Sequence, residues 1–141
     1  MFISSDGGIR LGDFGFARFV DDLCSTRCGS DGYNAPEIAR ADGQSINPML
    51  ADVWSIGVIL YTILTKKIPF DKRDILQMNK TKSVVLRFHR KMVISGRLRD
   101  LIGKFLTFEP TERIRLADLD KHPWFAERRL QNSLPNREST S

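Results

Sequence analysis

DFGFARFVDDLCSTRCGSDGYNAPE, residues 13–37, opens on Asp13-Phe14-Gly15 and closes on Ala35-Pro36-Glu37. Between these tripeptides the composition turns from apolar to polar and glycine-rich, and no helical or strand period is sustained from 16 to 47. That reads as an ordered or semi-ordered loop, long enough to need a functional reason, since most connections are a handful of residues.

Upstream of it, FISSDGGIRLGDF reads as two short strands, around Phe2-Ile3 and Ile9 to Leu11, with Asp6-Gly7 supplying the positive φ angles of a tight turn. Downstream, Asn47-Pro48 is a helix-start signal, because proline is tolerated in a first turn. Val53, Trp54, Ile56, Val58, Ile59, Leu60, Ile63 and Leu64 then occur all round a helix over 48–64, which demands neighbours on every face. The run VWSIGVILYTIL, 53–64, is shorter than the roughly 20 residues of a bilayer span, so it reads as a buried helix and not a membrane anchor.

DKRDILQMN, 71–79, reads as a short polar helix. Leu98, Leu101, Ile102, Phe105 and Leu106 fall at i, i+3, i+4, i+7 and i+8, an amphipathic helix ended by Phe108-Glu109-Pro110. Leu116, Leu119, Trp124 and Phe125 suggest one more helix, with Pro123 near its end. The polar tail 127–141 is expected to be disordered.

The chain has the size of one domain, and 41% apolar with 28% charged residues are globular values. A net charge of +5 suits an acidic partner or simply a soluble basic surface, and no aromatic-interleaved basic stripe points to nucleic acid. Cys24 and Cys28 form a lone C-x-x-x-C without the second pair of a zinc site. No secretory signal precedes them, so reduced thiols in the cytoplasm, without disulfide or zinc, are expected. His89 and His122 have no third ligand or nucleophile beside them in sequence and read as surface or capping residues. Arg87, Arg90, Lys91, Arg97 and Arg99 read as a solvated basic face, with docking of acidic substrates as the sharper alternative.

From 13 to 125 the chain presents five landmarks in order: DFG, APE, DVWSIGVILY (52–61), Pro110-x-x-Arg113 and HPWF (122–125). The set resembles the C-terminal half of a protein kinase domain. The wording is similar to serine/threonine kinases of the calcium/calmodulin-dependent and AMP-activated group. Within that group it resembles the testis-specific serine kinases, through DFGFA, CGS-x-x-Y-x-APE and the F-x-x-x-x-x-x-x-G-x-x-x-DLI pattern of 88–102.

The resemblance implies a mainly α fold over 1–126, the C-terminal lobe of the kinase fold: a small β-hairpin, an activation segment, then helices. It makes Asp13 the magnesium-binding aspartate, with Phe14 packed beneath it and Gly15 letting the backbone reverse. Thr26 stands where related kinases carry an activating phosphothreonine, and Ser30 near the substrate's phosphoacceptor. Ala35, Pro36 and Glu37 close the activation segment, and Glu37 pairs with Arg113 in a buried ion pair. Asp52 would fix the catalytic-loop backbone, or simply cap its helix. Asp31-Gly32 departs from the commoner small-residue pair and bears on peptide preference. ATP and magnesium are the family's cofactors, and protein substrates or kinase partners its ligands.

A complete kinase site also needs a Gly-rich loop, a strand lysine, a helix glutamate and an H-R-D-x-x-x-x-N loop. Residues 1–12 hold none of these. The expectation is a chain that lacks the N-terminal lobe and catalytic loop, binds ATP and magnesium poorly, and transfers no phosphate alone. It is then either a piece of a serine/threonine kinase or a short non-catalytic, pseudokinase-like module that binds kinase partners or substrates. An unrelated basic helical binder is the third reading. One face of the central helix should be bare.

Overall fold

Two-residue strands β1 (Phe2–Ile3) and β2 (Ile9–Arg10) pair antiparallel, with Phe2 opposite Arg10 and Ile3 opposite Ile9. The Ser4 amide donates to the Gly8 carbonyl at 2.8 Å and the Gly7 amide to the Ser4 carbonyl at 2.9 Å. Within this turn only Gly7, at φ 80°, takes a positive φ; Asp6 acts through its side chain, which accepts from the Gly8 amide at 3.0 Å. Hydrogen bonds from the Ser4 hydroxyl and the Gly8 amide hold the Asp6 carboxyl below its ordinary range. Leu11 lies outside the ladder. This computed structural model describes residues 2–15, 17, 32–40 and 46–126.

Helix α1 (Pro36–Arg40) lies inside the stretch read as loop. Helix α2 (Pro48–Thr65) begins where expected: the Asn47 side chain accepts from the Met49 and Leu50 amides at 3.0 and 3.4 Å, and Pro48 takes the first position. It ends at Lys66, whose φ of 59° is left-handed and whose amide returns to the Thr62 carbonyl. Helix α3 (Lys72–Thr81) starts with a capping box. Asp71 accepts from the Arg73 and Asp74 amides while Asp74 accepts from the Asp71 amide. Helix α4 (Gly96–Phe105) is capped by the Ser95 hydroxyl, which accepts from the Leu98 amide at 3.2 Å.

After a 3-10 turn at Pro110–Glu112, the last expected helix is replaced by a second 3-10 turn, Leu116–Lys121, followed by a helical turn at 123–126. Pro123 therefore opens a turn and does not end one. Its missing amide and ring would break a helix that ran on through it, but suit a first turn.

The core lies between α2 and α4. Trp54 and Val58 from one, Leu101, Ile102 and Phe105 from the other, and Leu106 just beyond it, are almost fully buried. Gly57 sets how close the helices come: a Cβ there would stand 2.6 Å from the Phe105 Cβ and 2.9 Å from the Leu106 side chain. Trp54 also stacks at a tilt on Phe70, ring centroids 5.5 Å apart.

The opposite side of α2 is covered less well. Ile63 is 59% exposed, Met49 is exposed, and Ile56, Ile59, Leu60 and Leu64 are only partly buried. As an 18-residue helix, α2 is long and apolar enough to cross a membrane by length and composition, so the shortness of the run 53–64 does not by itself decide its place. Its packing on α4 through Trp54 and Val58 is that of a core helix.

Candidate functional site

The most heavily bonded polar group in the described structure is the Arg113 guanidinium, 2% exposed at the end of the first 3-10 turn. Its two terminal nitrogens donate to the two oxygens of Glu37, both at 2.7 Å, a bidentate pair with fixed geometry. The Nη1 atom also donates to the Leu50 carbonyl at 2.7 Å, and Nη2 to the Phe108 carbonyl at 3.3 Å. Nε donates to the Thr107 carbonyl at 2.9 Å. All five N–H donors of an arginine are thereby satisfied. The guanidinium also lies 5.1 Å from the Trp54 ring centroid.

This junction fastens the end of the 13–37 stretch to the body of the molecule. Glu37 is the second residue of α1, Leu50 belongs to the first turn of α2, and Thr107 and Phe108 follow α4. Ala35 is fully buried and Pro36 nearly so. The Ser55 hydroxyl donates to the Tyr33 carbonyl at 3.1 Å, adding a second tie from α2. Gly32, at φ 91°, passes so near Ile68 that a Cβ would meet its methyl at 3.0 Å.

Asp13-Phe14-Gly15 makes no hydrogen bond to that junction. Asp13 is exposed and takes φ 65°, a left-handed backbone that aspartate tolerates better than most non-glycine residues. The Ala17 amide donates to the Phe14 carbonyl at 3.0 Å and closes a turn there. Phe14 is 70% exposed, not packed beneath Asp13, because no described element covers it.

Asp52 does not cap α2. Asn47 does, and Asp52 sits one turn inside the helix with no side-chain hydrogen bond among the described residues. Partial desolvation by the atoms around it pushes its carboxyl above the ordinary range, although the residue remains exposed. Thr26 and Ser30 lie outside the described residues, as do Cys24, Cys28 and the tail 127–141.

Of the two roles expected for His122, surface or cap, the structure shows the cap: its Nδ1 accepts from the Trp124 amide at 3.3 Å at the start of the 123–126 turn, but the residue is buried, with its Nε2 2.9 Å from Asp100 of α4. An isolated histidine in sequence carries no sign of such a tie. His89 is exposed and accepts the Lys91 amide at 3.3 Å, a local turn role.

The arrangement can hold the end of the 13–37 stretch rigidly, but its fit to nucleotide and metal is incomplete. Among the described residues no three His, Cys, Asp or Glu groups gather as a metal cluster. Asp13 offers a single carboxylate, and magnesium held by protein and phosphate oxygens needs a fuller set.

Residues 1–125 match the family model described as protein kinase domain. A probable serine/threonine-protein kinase of Dictyostelium discoideum is 40% identical over 131 residues, covering 89% of this chain and 15% of its own length. The carbon catabolite-derepressing protein kinase of Secale cereale is 35% identical over 137 residues, covering 96% of this chain and 26% of its own length. CBL-interacting protein kinase 22 of Oryza sativa subsp. japonica is 34% identical over 133 residues, covering 88% and 29%. The chain thus spans less than a third of the length of these relatives.

Proposed function

This chain belongs to the protein kinase domain family, and on that premise we propose that it is the C-terminal lobe of a serine/threonine kinase domain, the part that anchors the activation segment and seats the protein substrate. The observation that carries this reading is the Glu37–Arg113 junction, which fixes the end of the 13–37 stretch to α2 and to the turn after α4. Phosphoryl transfer leaves little covalent work to the protein, so placing the substrate and the activation segment is itself catalytic work.

In this reading Asp13 is the carboxylate presented to magnesium. Thr26 is the activating site, where a phosphate would add about −1.5 to −2 charges. Ser30 lies beside the incoming hydroxyl. The motifs DFGFA, CGS-x-x-Y-x-APE and the 88–102 pattern favour the testis-specific serine kinases as the subfamily, acting on cytoplasmic proteins. ATP and magnesium are the family's cofactors; the 141 residues contain neither the phosphate-holding lysine nor the catalytic base loop, so the chain alone transfers no phosphate.

Two assays test this. The chain incubated with ATP, magnesium and a generic serine peptide should incorporate no more phosphate than its Asp13→Ala variant. A chimera with the Gly-rich loop, strand lysine and catalytic loop of the Dictyostelium relative placed before Met1 should phosphorylate the peptide, and Asp13→Ala should abolish it. A folded chimera without activity would sink the reading.

The thin cover over Met49 and Ile63 of α2 favours a second reading, a non-catalytic module that binds a protein partner there. An immunoblot against residues 85–110 separates the two. A stable product near 16.1 kDa favours the module, and a larger one a complete kinase.

A further inference from the structure

Residues 75–99 contain no aspartate or glutamate but carry Lys80, Lys82, Arg87, Arg90, Lys91, Arg97 and Arg99. This one stretch holds more positive charge than the chain's net of +5, so the remainder of the molecule is net acidic. The charge is segregated, and part of it surrounds a groove between the C-terminal end of α2 and the segment after α3. The groove encloses about 530 Å³, with Tyr61, Phe88 and Met92 below and Lys67, Arg87 and Lys91 around. That volume lies within the roughly 300–1,000 Å³ of ligand sites.

The floor is held in place. The Tyr61 and Phe88 rings lie 5.2 Å apart at 46°, and the Tyr61 hydroxyl donates to the Arg87 carbonyl. Arg99 of α4 stacks on Phe88, its guanidinium carbon 4.7 Å from the ring centroid. Arg87 and Lys91 are exposed, and no carboxylate lines the groove among the described residues. Asp100, next to Arg99, is engaged by His122.

We propose that this groove docks an acidic protein segment, an extended peptide that lays one aromatic or aliphatic side chain over Tyr61, Phe88 and Met92 while its flanking carboxylates pair with Lys67, Arg87 and Lys91. Charge complementarity selects an anion, and the apolar floor selects a peptide. A duplex phosphate backbone or a lipid headgroup layer would use the rim but has nothing to place on the recessed aromatic surface; the bases of a single strand could stack there, and the oligonucleotide arm of the test separates that occupant from a peptide. The groove stands apart from the Glu37–Arg113 junction, so it goes beyond phosphotransfer: it would recruit a partner, not position the reacting hydroxyl.

Fluorescence anisotropy with the 141-residue chain tests it. The probe is a short fluorescein-labelled peptide, one central phenylalanine flanked by glutamates. Binding should saturate, weaken as salt approaches about 0.15 M, where exposed charges are screened beyond roughly 8 Å, and fall about tenfold in the double variant Arg87→Glu, Lys91→Glu. The exposed Lys80→Glu control, with helical content checked by circular dichroism, should bind as the parent does. A peptide with glycine in place of phenylalanine should bind several-fold more weakly.

No saturable binding would overturn the proposal. So would equal loss in Lys80→Glu, indifference to the phenylalanine, or tighter binding of a single-stranded oligonucleotide or of phosphatidylserine vesicles at the same salt. The chimera's activity is a separate readout. Transfer without peptide docking removes the groove alone, and docking without transfer removes the kinase reading alone.

Discussion

Substituting Arg113→Ala removes five hydrogen-bond donors at once and leaves the Glu37 carboxylate, 8% exposed, without a counter-charge. The carbonyls of Leu50, Thr107 and Phe108 lose a donor, and one face of Trp54 loses its cation. Removing one partner of a buried pair costs about 3–5 kcal/mol, a large share of the ~5–15 kcal/mol that holds a domain together. Urea unfolding followed by tryptophan fluorescence reads the loss directly, since Trp54 sits against the guanidinium. The double variant Glu37→Met, Arg113→Met should recover part of it, because an apolar pair leaves no stranded charge. A loss below about 1 kcal/mol in Arg113→Ala, the range of an exposed ion pair, would refute the anchoring argument. An additive double variant would refute the coupling of the two residues.

Partial desolvation raises the Asp52 carboxyl above its unfolded value, so its contribution to stability is fully present below the unfolded pKa and is lost as pH rises through the folded one. Asp52→Asn should therefore raise the melting temperature at pH 7 and make no difference well below pH 4; equal melting temperatures at neutral pH would contradict it. Gly57→Ala should destabilise by about 1–3 kcal/mol, because its Cβ has no room against Phe105; a neutral result in chemical denaturation would show that α2 and α4 can separate freely. The exposed side chains of α2 and the hairpin, among them Ile63, Met49, Ile3, Ile9 and Leu11, should bind an apolar dye when the chain is expressed alone, whereas a sharp melt without dye signal would count against an uncovered face.

The helix starts were legible because their signals are local. Asn47-Pro48 and the stripe from Leu98 to Leu106 lie within a turn or two of the structure they specify. Helix α1 was not, because its residues carry no period: its buried Pro36 and the Glu37 pairing depend on Arg113, far along the chain. The final helix was misread because apolar spacing at Leu116, Leu119, Trp124 and Phe125 fits a helix that Pro123 interrupts. Phe14 was assigned a packed place that no described element provides, and the burial of His122 has no signature in its neighbours. The kinase resemblance rested on ordered motifs and needed no periodicity, and the family match over 1–125 bears out that part of the reading.

The saturated guanidinium of Arg113 also bears on motion. One side chain joins α1, the first turn of α2 and the turn after α4: departure of α1 would strand the Glu37 and Arg113 charges, and departure of either other stretch would leave a buried guanidinium N–H and a carbonyl unpaired. Local openings of these three stretches are therefore a single event, not three. Amides around 36–40, a five-residue helix that would fray in isolation, should exchange with solvent on the slow timescale of the α2–α4 core.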